Sequence, residues 1–79
     1  MDSTPSPPEI AKRVIAAFGG LTSMHRKMKD AGEEIPIGTI HSWGKSNNGI
    51  PRWHRRNILS IARAKEIPLP VEFVEGEAA

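Results

Sequence analysis

The sequence of 79 residues contains no cysteine, and only 5% of its residues are aromatic. Without cysteine the chain can form neither disulfide bonds nor thiolate metal sites, which fits a reducing compartment inside a cell. No apolar run reaches the roughly 18–20 residues of a membrane span, and residues 1–8 lack the basic and apolar regions of a signal peptide. We therefore expect a single cytoplasmic domain that does not contact the membrane.

The sequence also lacks the residue groupings on which catalysis depends. Ser23 lies near His25 on one predicted helix, and Glu33 and Glu34 fall in a turn, but neither pair forms a nucleophile with its base or a catalytic carboxylate site. The three histidines do not have the short spacing of a zinc site. We therefore expect no enzymatic activity, no cofactor and no bound metal.

Charge is small overall but unevenly distributed along the chain. All 11 lysines and arginines lie between residues 12 and 65 with only three acidic residues, so this segment has a formal charge of +8, whereas the whole chain has +2. A basic central segment is typical of proteins that bind a polyanion, because each neutralised phosphate releases condensed counterions. A solvated basic surface would give the same pattern, so charge alone does not decide the function.

Apolar residues recur with the period of an α-helix in four segments, which are bounded by proline or glycine. We predict an all-α fold, a compact four- to five-helix domain, with helices over residues 9–18, 22–31, 37–45 and 51–64. Thr22 is the predicted N-cap of the second helix, and Gly32 is the left-handed residue after it. Trp43 and Trp53 each have an apolar residue three positions earlier, which predicts that both indoles pack inward.

Both ends of the chain are predicted to lack helical structure. Residues 1–8 combine proline with small polar residues, so we expect a disordered arm before a domain at residues 9–66. In residues 67–79 two prolines stand two positions apart, which argues against a helix, whereas Val71, Phe73 and Val74 favour a strand. We predict an extended, acidic tail that packs on the domain or joins two copies by strand addition.

The second helix, the turn after it and the third helix have the pattern of a helix-turn-helix unit. Ile35 and Ile40 provide apolar contacts between the two helices, and Trp43 anchors the far end of the third helix. The outward residues of the third helix are small or able to form hydrogen bonds: Gly38, Thr39, His41, Ser42 and Lys45. A helix with such a slim face fits a DNA major groove, which is about 12 Å wide.

Several short motifs together resemble one family of phage regulators. They are Phe18-Gly19-Gly20, Thr39-Ile40-His41-Ser42-Trp43, Ile50-Pro51-Arg52-Trp53-His54 and Ile58-Leu59. The multi-part pattern covers residues 10–64 and resembles the carph-isopro proteins, a group within the Cro-like and YdaS-like helix-turn-helix regulators. The resemblance implies a lambda-repressor-type domain whose recognition helix, residues 36–45, enters the major groove. It implies base contacts from Ile37, Gly38 and Ser42, with Thr39, His41 and Lys45 near the backbone or flanking bases.

Basic and amide residues outside the third helix complete the predicted DNA interface. The start of the fourth helix is rich in arginine, and its free amides and helix dipole favour a phosphate. The loop before it carries two asparagines, and the second helix would cross the DNA backbone. The predicted contacts in these regions are Arg26, Lys27, Asn47, Asn48, Arg52, Arg55 and Arg56.

Two functions remain open at this point. The first is a sequence-specific transcriptional regulator, a repressor by default, that binds double-stranded DNA as a homodimer in a bacterial nucleoid. The alternative is an adaptor or polymerase-binding regulator of phage origin that binds protein through the helical domain and the apolar tail. The sequence leaves contact with RNA polymerase open. Charge reversal at Arg55 and Arg56, compared with truncation of the tail, would separate the two functions.

Overall fold

The computed structural model describes the backbone of residues 6–78 and the side chains of residues 6–74. Its helices are, in order, α1 (Pro7–Ala17), α2 (Leu21–Asp30), α3 (Ile37–Trp43), α4 (Arg52–Ala64) and α5 (Val71–Ala78). No strand occurs within residues 6–78. The all-α prediction is confirmed, and α1 to α4 lie close to their predicted positions. None of the helices in this part of the chain is long and apolar enough to cross a membrane.

One cluster of apolar side chains holds the helices together. Each helix contributes buried residues to this cluster. Helix α1 packs on α2, α3 and α5; in addition, α2 packs on α3, and α4 packs on α5. The largest fully buried side chains are Val14, Phe18, Met24, Met28, Ile40, Ile58 and Phe73. Among the described residues no polar or charged side chain is buried, so burial of these apolar groups is the main source of stability. The predicted inward positions Ile35, Ile40, Trp43, Ile58, Ile61 and Ala62 are confirmed.

The turns that frame α2 use backbone rather than side-chain caps. Helix α2 begins at Leu21, one residue earlier than predicted, and the Met24 amide donates to the Gly20 carbonyl at 2.9 Å. Gly20 is therefore the N-cap of α2, and the prediction that Thr22 is the N-cap is wrong. Gly32 has φ +91°, and the Glu33 amide donates to the Met28 carbonyl at 2.9 Å. This geometry matches the Schellman motif and confirms the predicted role of Gly32.

The predicted extended tail is wrong over residues 71–78, which form α5. Pro70 lies just before the helix, and its carbonyl accepts hydrogen bonds from the amides of Phe73 (3.0 Å) and Val74 (3.2 Å). A proline at this place is tolerated, because the first amides of a helix have no intrahelical acceptor. Phe73 is only 1% exposed, so its burial outweighs the strand propensity of the segment. Pairing of this segment as a strand is therefore excluded in this fold.

The predicted disordered arm also ends earlier than expected. Residues 1–5 lie outside the described part of the chain, but Pro7 and Pro8 belong to α1. Both prolines stand in the first turn, where their fixed φ suits the helix and the missing amide costs no hydrogen bond. Arg13 on α1 contacts Glu9 at 3.5 Å and Glu72 at 3.8 Å, so it also links α1 to α5.

Candidate functional site

Helix α3 is attached to the core by two residues and exposes all the others. Ile40 and Trp43 are buried, at 0% and 2% exposure. The remaining residues of the helix are exposed: Gly38, Thr39, His41 and Ser42, as their spacing predicted, and also Ile37. The helix is shorter than predicted and ends at Trp43, so Lys45 follows in the turn, where it is exposed.

The exposed face of α3 carries little side-chain bulk. A Cβ atom placed at Gly38 would have no neighbouring atom within 4 Å, so the backbone there is open to a large partner. The Ser42 hydroxyl donates to the Thr39 carbonyl at 2.6 Å and therefore lies along the helix surface, with its oxygen still able to accept a hydrogen bond. This surface can present hydrogen-bonding groups to a groove without obstructing close approach.

The loop between α3 and α4 is fixed at its C-terminal side. Ile50 is buried, and Gly49 is so close to α1 that an added Cβ would lie 2.6 Å from the Pro7 carbonyl oxygen. Asn47 and Asn48 are exposed at the tip, where the backbone N–H of Asn48 donates to the Ser46 hydroxyl oxygen at 3.3 Å. The two asparagine side chains thus extend from an anchored loop beside α3.

Three arginines at the start of α4 have different environments. Arg52 and Arg56 are exposed, one turn apart on the helix. Arg55 is half-buried; its Nε donates to the Ile50 carbonyl at 3.5 Å, and its guanidinium lies 5.6 Å from the centre of the Phe73 ring. Arg55 therefore links the loop and α4 to α5, a structural role that the sequence did not predict. Within residues 6–74, by contrast, no side-chain partner binds the guanidinium groups of Arg52 and Arg56, and both side chains are exposed.

An open cleft of about 810 Å³ lies between α3 and the start of α4. It brings together six of the predicted contact residues: Thr39, Ser42, Asn48, Arg52, Arg55 and Arg56. The other lining residues are Trp43, Ser46, Gly49, Ile50, Pro51 and Trp53. None of these described lining residues is acidic, so the cleft combines three arginines with hydroxyl and amide groups.

The remaining predicted contact residues lie outside this cleft. His41 and Lys45 line a second, more apolar depression together with Lys12 of α1. On α2, Arg26 is exposed, whereas the Lys27 ammonium donates to the Phe18 carbonyl and to the Ser23 hydroxyl, both at 2.9 Å. Lys27 therefore satisfies a carbonyl at the end of α1 in addition to any contact with a ligand.

Trp53 is the main functional candidate that the sequence interpretation missed. Its predicted inward packing is wrong, because its side chain is 74% exposed. The prediction relied on Ile50 three positions earlier, but Ile50 lies before the predicted helix as well as before α4, which begins at Arg52. Helical spacing therefore does not relate the side chains of Ile50 and Trp53.

The described residues do not form a metal site. No group of three or more histidine, aspartate or glutamate side chains is suitably placed among them to hold a metal ion. His54 instead packs between the two tryptophans, with ring centres 5.3 Å from Trp43 and 5.9 Å from Trp53.

Comparison with protein-family models, with curated proteins and with solved structures gives no significant match for this chain. Its own residues therefore carry the functional argument.

Proposed function

We propose that this protein is a sequence-specific DNA-binding transcriptional regulator, with α3 in the major groove and the start of α4 on the phosphate backbone. The observation that carries the proposal is the cleft in which Arg52 and Arg56 flank the exposed face of α3 without an acidic neighbour among the lining residues. Arginine binds phosphate through several N–H groups, and serine, threonine and asparagine can hydrogen-bond to base edges.

The order of the helices supports the same proposal. Helices α2 and α3 pack directly on each other, as in a helix-turn-helix unit, across a six-residue connection that ends at Pro36 and is about two residues longer than the common turn. In that arrangement the second helix of the unit enters the groove while the first crosses the backbone. Arg26 on α2 is exposed and is our proposed backbone contact from that helix.

Sequence-specific binding is expected to involve two copies of the chain. One domain of this size contacts too few base pairs for high specificity, so we propose a homodimer on half-sites about 34 Å apart. Such a regulator would act on the bacterial nucleoid in the cytoplasm, with repression as its default output. The resemblance of the motifs to phage regulators agrees with that role.

The proposal is tested by fluorescence anisotropy with random and host-derived duplex DNA over a series of salt concentrations. We expect affinity to fall steeply with salt, because phosphate contacts release counterions. The variant Arg52→Ala/Arg56→Ala should reduce the salt slope by about 2, since each lost phosphate contact lowers it by about 0.9.

Arg63→Ala is the matched control, because Arg63 is also exposed on α4 but does not line the cleft. Arg55 is left unchanged because its side chain supports the fold through Ile50 and Phe73. Equal salt slopes for Arg63→Ala and the double variant would contradict the proposed interface, and absence of duplex binding at low salt would refute the function.

The alternative, a protein-binding adaptor or polymerase-binding regulator, is favoured by one specific observation. Val71 and Val74 are three residues apart on α5, and they are 59% and 41% exposed. This pair could contact another protein, and polymerase contact by a DNA-bound regulator would use the same surface. The variants Val71→Ser/Val74→Ser and Arg52→Ala/Arg56→Ala together distinguish the two functions: regulation that is lost in the valine variant and retained in the arginine variant would favour the adaptor.

A further inference from the structure

Trp53 exposes more of its side chain than any other large apolar residue among those described. It is 74% exposed, compared with 59% for Val71, 41% for Val74 and 40% for Ile37. An indole is large and apolar, so water contact over most of its surface is unfavourable in the free protein. A ligand that covers Trp53 would gain from burial of this surface.

The indole of Trp53 is held in position from one side. Its ring centre lies 5.9 Å from the His54 ring with an interplanar angle of 51°, and His54 in turn contacts the buried Trp43 at 5.3 Å. These distances are typical of favourable aromatic pairs. Trp53 is therefore the outer member of a series of rings that begins in the core, and it is available to a further flat ring.

The neighbours of Trp53 are suited to a nucleotide. Arg52 precedes it directly, Arg56 follows one turn later, and all three line the cleft that also contains the hydroxyls and the amide of Thr39, Ser42, Ser46 and Asn48. Arginine side chains beside an exposed aromatic ring are the combination that binds the phosphates and stacks the bases of a single DNA strand.

We infer that Trp53 is a stacking platform for an unpaired DNA base, so that the cleft binds single-stranded or locally opened DNA as well as the duplex. This inference rests on the proposed function in taking DNA as the ligand of the cleft. An intact duplex exposes the edges of its bases in the grooves and covers their faces by stacking. The face of an indole therefore finds a base face only where pairing and stacking are interrupted.

The test uses the full chain and three DNA ligands: a single strand of about 12 nucleotides, the matching duplex, and that duplex with one unpaired base. Trp53→Ala should weaken single-strand binding by about 5- to 150-fold, the range that corresponds to one lost base–aromatic stack. Trp53→Phe should retain most of the affinity, because it keeps an aromatic face. Binding of the intact duplex should change much less than binding of the single strand.

Intrinsic fluorescence gives a second readout. The sequence has two tryptophans, and Trp43 is only 2% exposed, so quenching by a stacked base should come from Trp53. The single strand should quench the emission of the natural protein and leave that of Trp53→Phe almost unchanged. Val71→Ala is the control for loss of an exposed apolar side chain away from the cleft.

The outcomes separate this inference from the proposed function. Salt-sensitive duplex binding without single-strand binding, or single-strand binding that Trp53→Ala leaves unchanged, would overturn the inference and leave the proposed function standing. Equal losses on the single strand and the duplex would also overturn it, because the indole would then contact the sugar-phosphate backbone. Trp53-dependent binding of the single strand alone would support the inference and refute the duplex-binding function.

Discussion

Replacement of Gly49 with alanine would force a methyl group against the first turn of α1. The added Cβ would lie 2.6 Å from the carbonyl oxygen and 2.8 Å from the carbonyl carbon of Pro7. These are backbone atoms, which cannot rotate away as a flexible side chain could. The loop between α3 and α4 would have to move away from α1, although the buried Ile50 next to Gly49 anchors it in the core.

The expected loss of stability has two parts. Gly49 has φ +66°, and a left-handed conformation costs an alanine about 1–2 kcal/mol. The overlap of the new methyl group with Pro7 should lower the stability by about 1–3 kcal/mol more, the usual range for overpacked sites. The total is similar to the entire stability of about 3–5 kcal/mol expected for a domain of this size without disulfides.

Gly32→Ala is the matched control for the backbone part. Gly32 has φ +91°, and a Cβ there would meet no atom within 4 Å. Its φ lies farther from the left-handed minimum near +57° than that of Gly49. Backbone strain alone would therefore make Gly32→Ala the more harmful change, whereas packing on Pro7 makes Gly49→Ala the more harmful one.

The assay is urea unfolding followed by circular dichroism, with a thermal scan beside it. We expect Gly49→Ala to lower the free energy of unfolding by up to about 3 kcal/mol more than Gly32→Ala, because the packing cost exceeds the difference in backbone strain. Each 1 kcal/mol corresponds to about 4–8 °C in Tm for a domain of this size. If Gly32→Ala proves as destabilising as Gly49→Ala, the loop does not pack on α1, and the anchored position of Asn47 and Asn48 is wrong.

Two further predictions concern the core and the exposed face of α3. Phe73→Ala should lower the free energy of unfolding by about 3–5 kcal/mol, measured by heat or urea, because it leaves a cavity in the core. Val74→Ala, on the exposed side of α5, should lower it by less than about 0.5 kcal/mol. Equal stability of both variants would show that α5 is not part of the core. Ser42→Ala should weaken anisotropy-measured binding to a selected operator but not to random duplex, and a uniform loss on both would place Ser42 on the backbone instead.

The first four helices could be predicted because their burial pattern follows directly from sequence spacing. Ile40 and Trp43 are three residues apart and both reach the core, and Ile58 and Ala62 are one turn apart on α4. Helix α5 could not be predicted in this way. The prolines before it and its own valines favour an extended chain locally, and only the core that the other helices provide makes burial of Phe73 decisive.

The exposed positions of α3 could be predicted from the sequence because exposure on a helix has a regular period. The roles of Lys27 and Arg55 could not, since they depend on atoms that only the fold brings near. Lys27 binds a carbonyl nine positions away in sequence, and Arg55 lies over a ring from α5. The exposure of Trp53 was missed for a local reason: Ile50, the apolar residue three positions earlier, precedes α4, so helical spacing does not relate the two side chains.

The packing of α5 on α1 also has a consequence for how the protein is synthesised. Phe73 completes a core that also contains Val14 of α1 and Phe18 directly after that helix, so segments distant in sequence close the domain. A nascent chain that still lacks α5 would expose the apolar surface that Phe73 covers, and it would gain its native stability only after that helix has left the ribosome. Translational pausing before residue 71 should therefore leave the growing polypeptide open to chaperones and proteases.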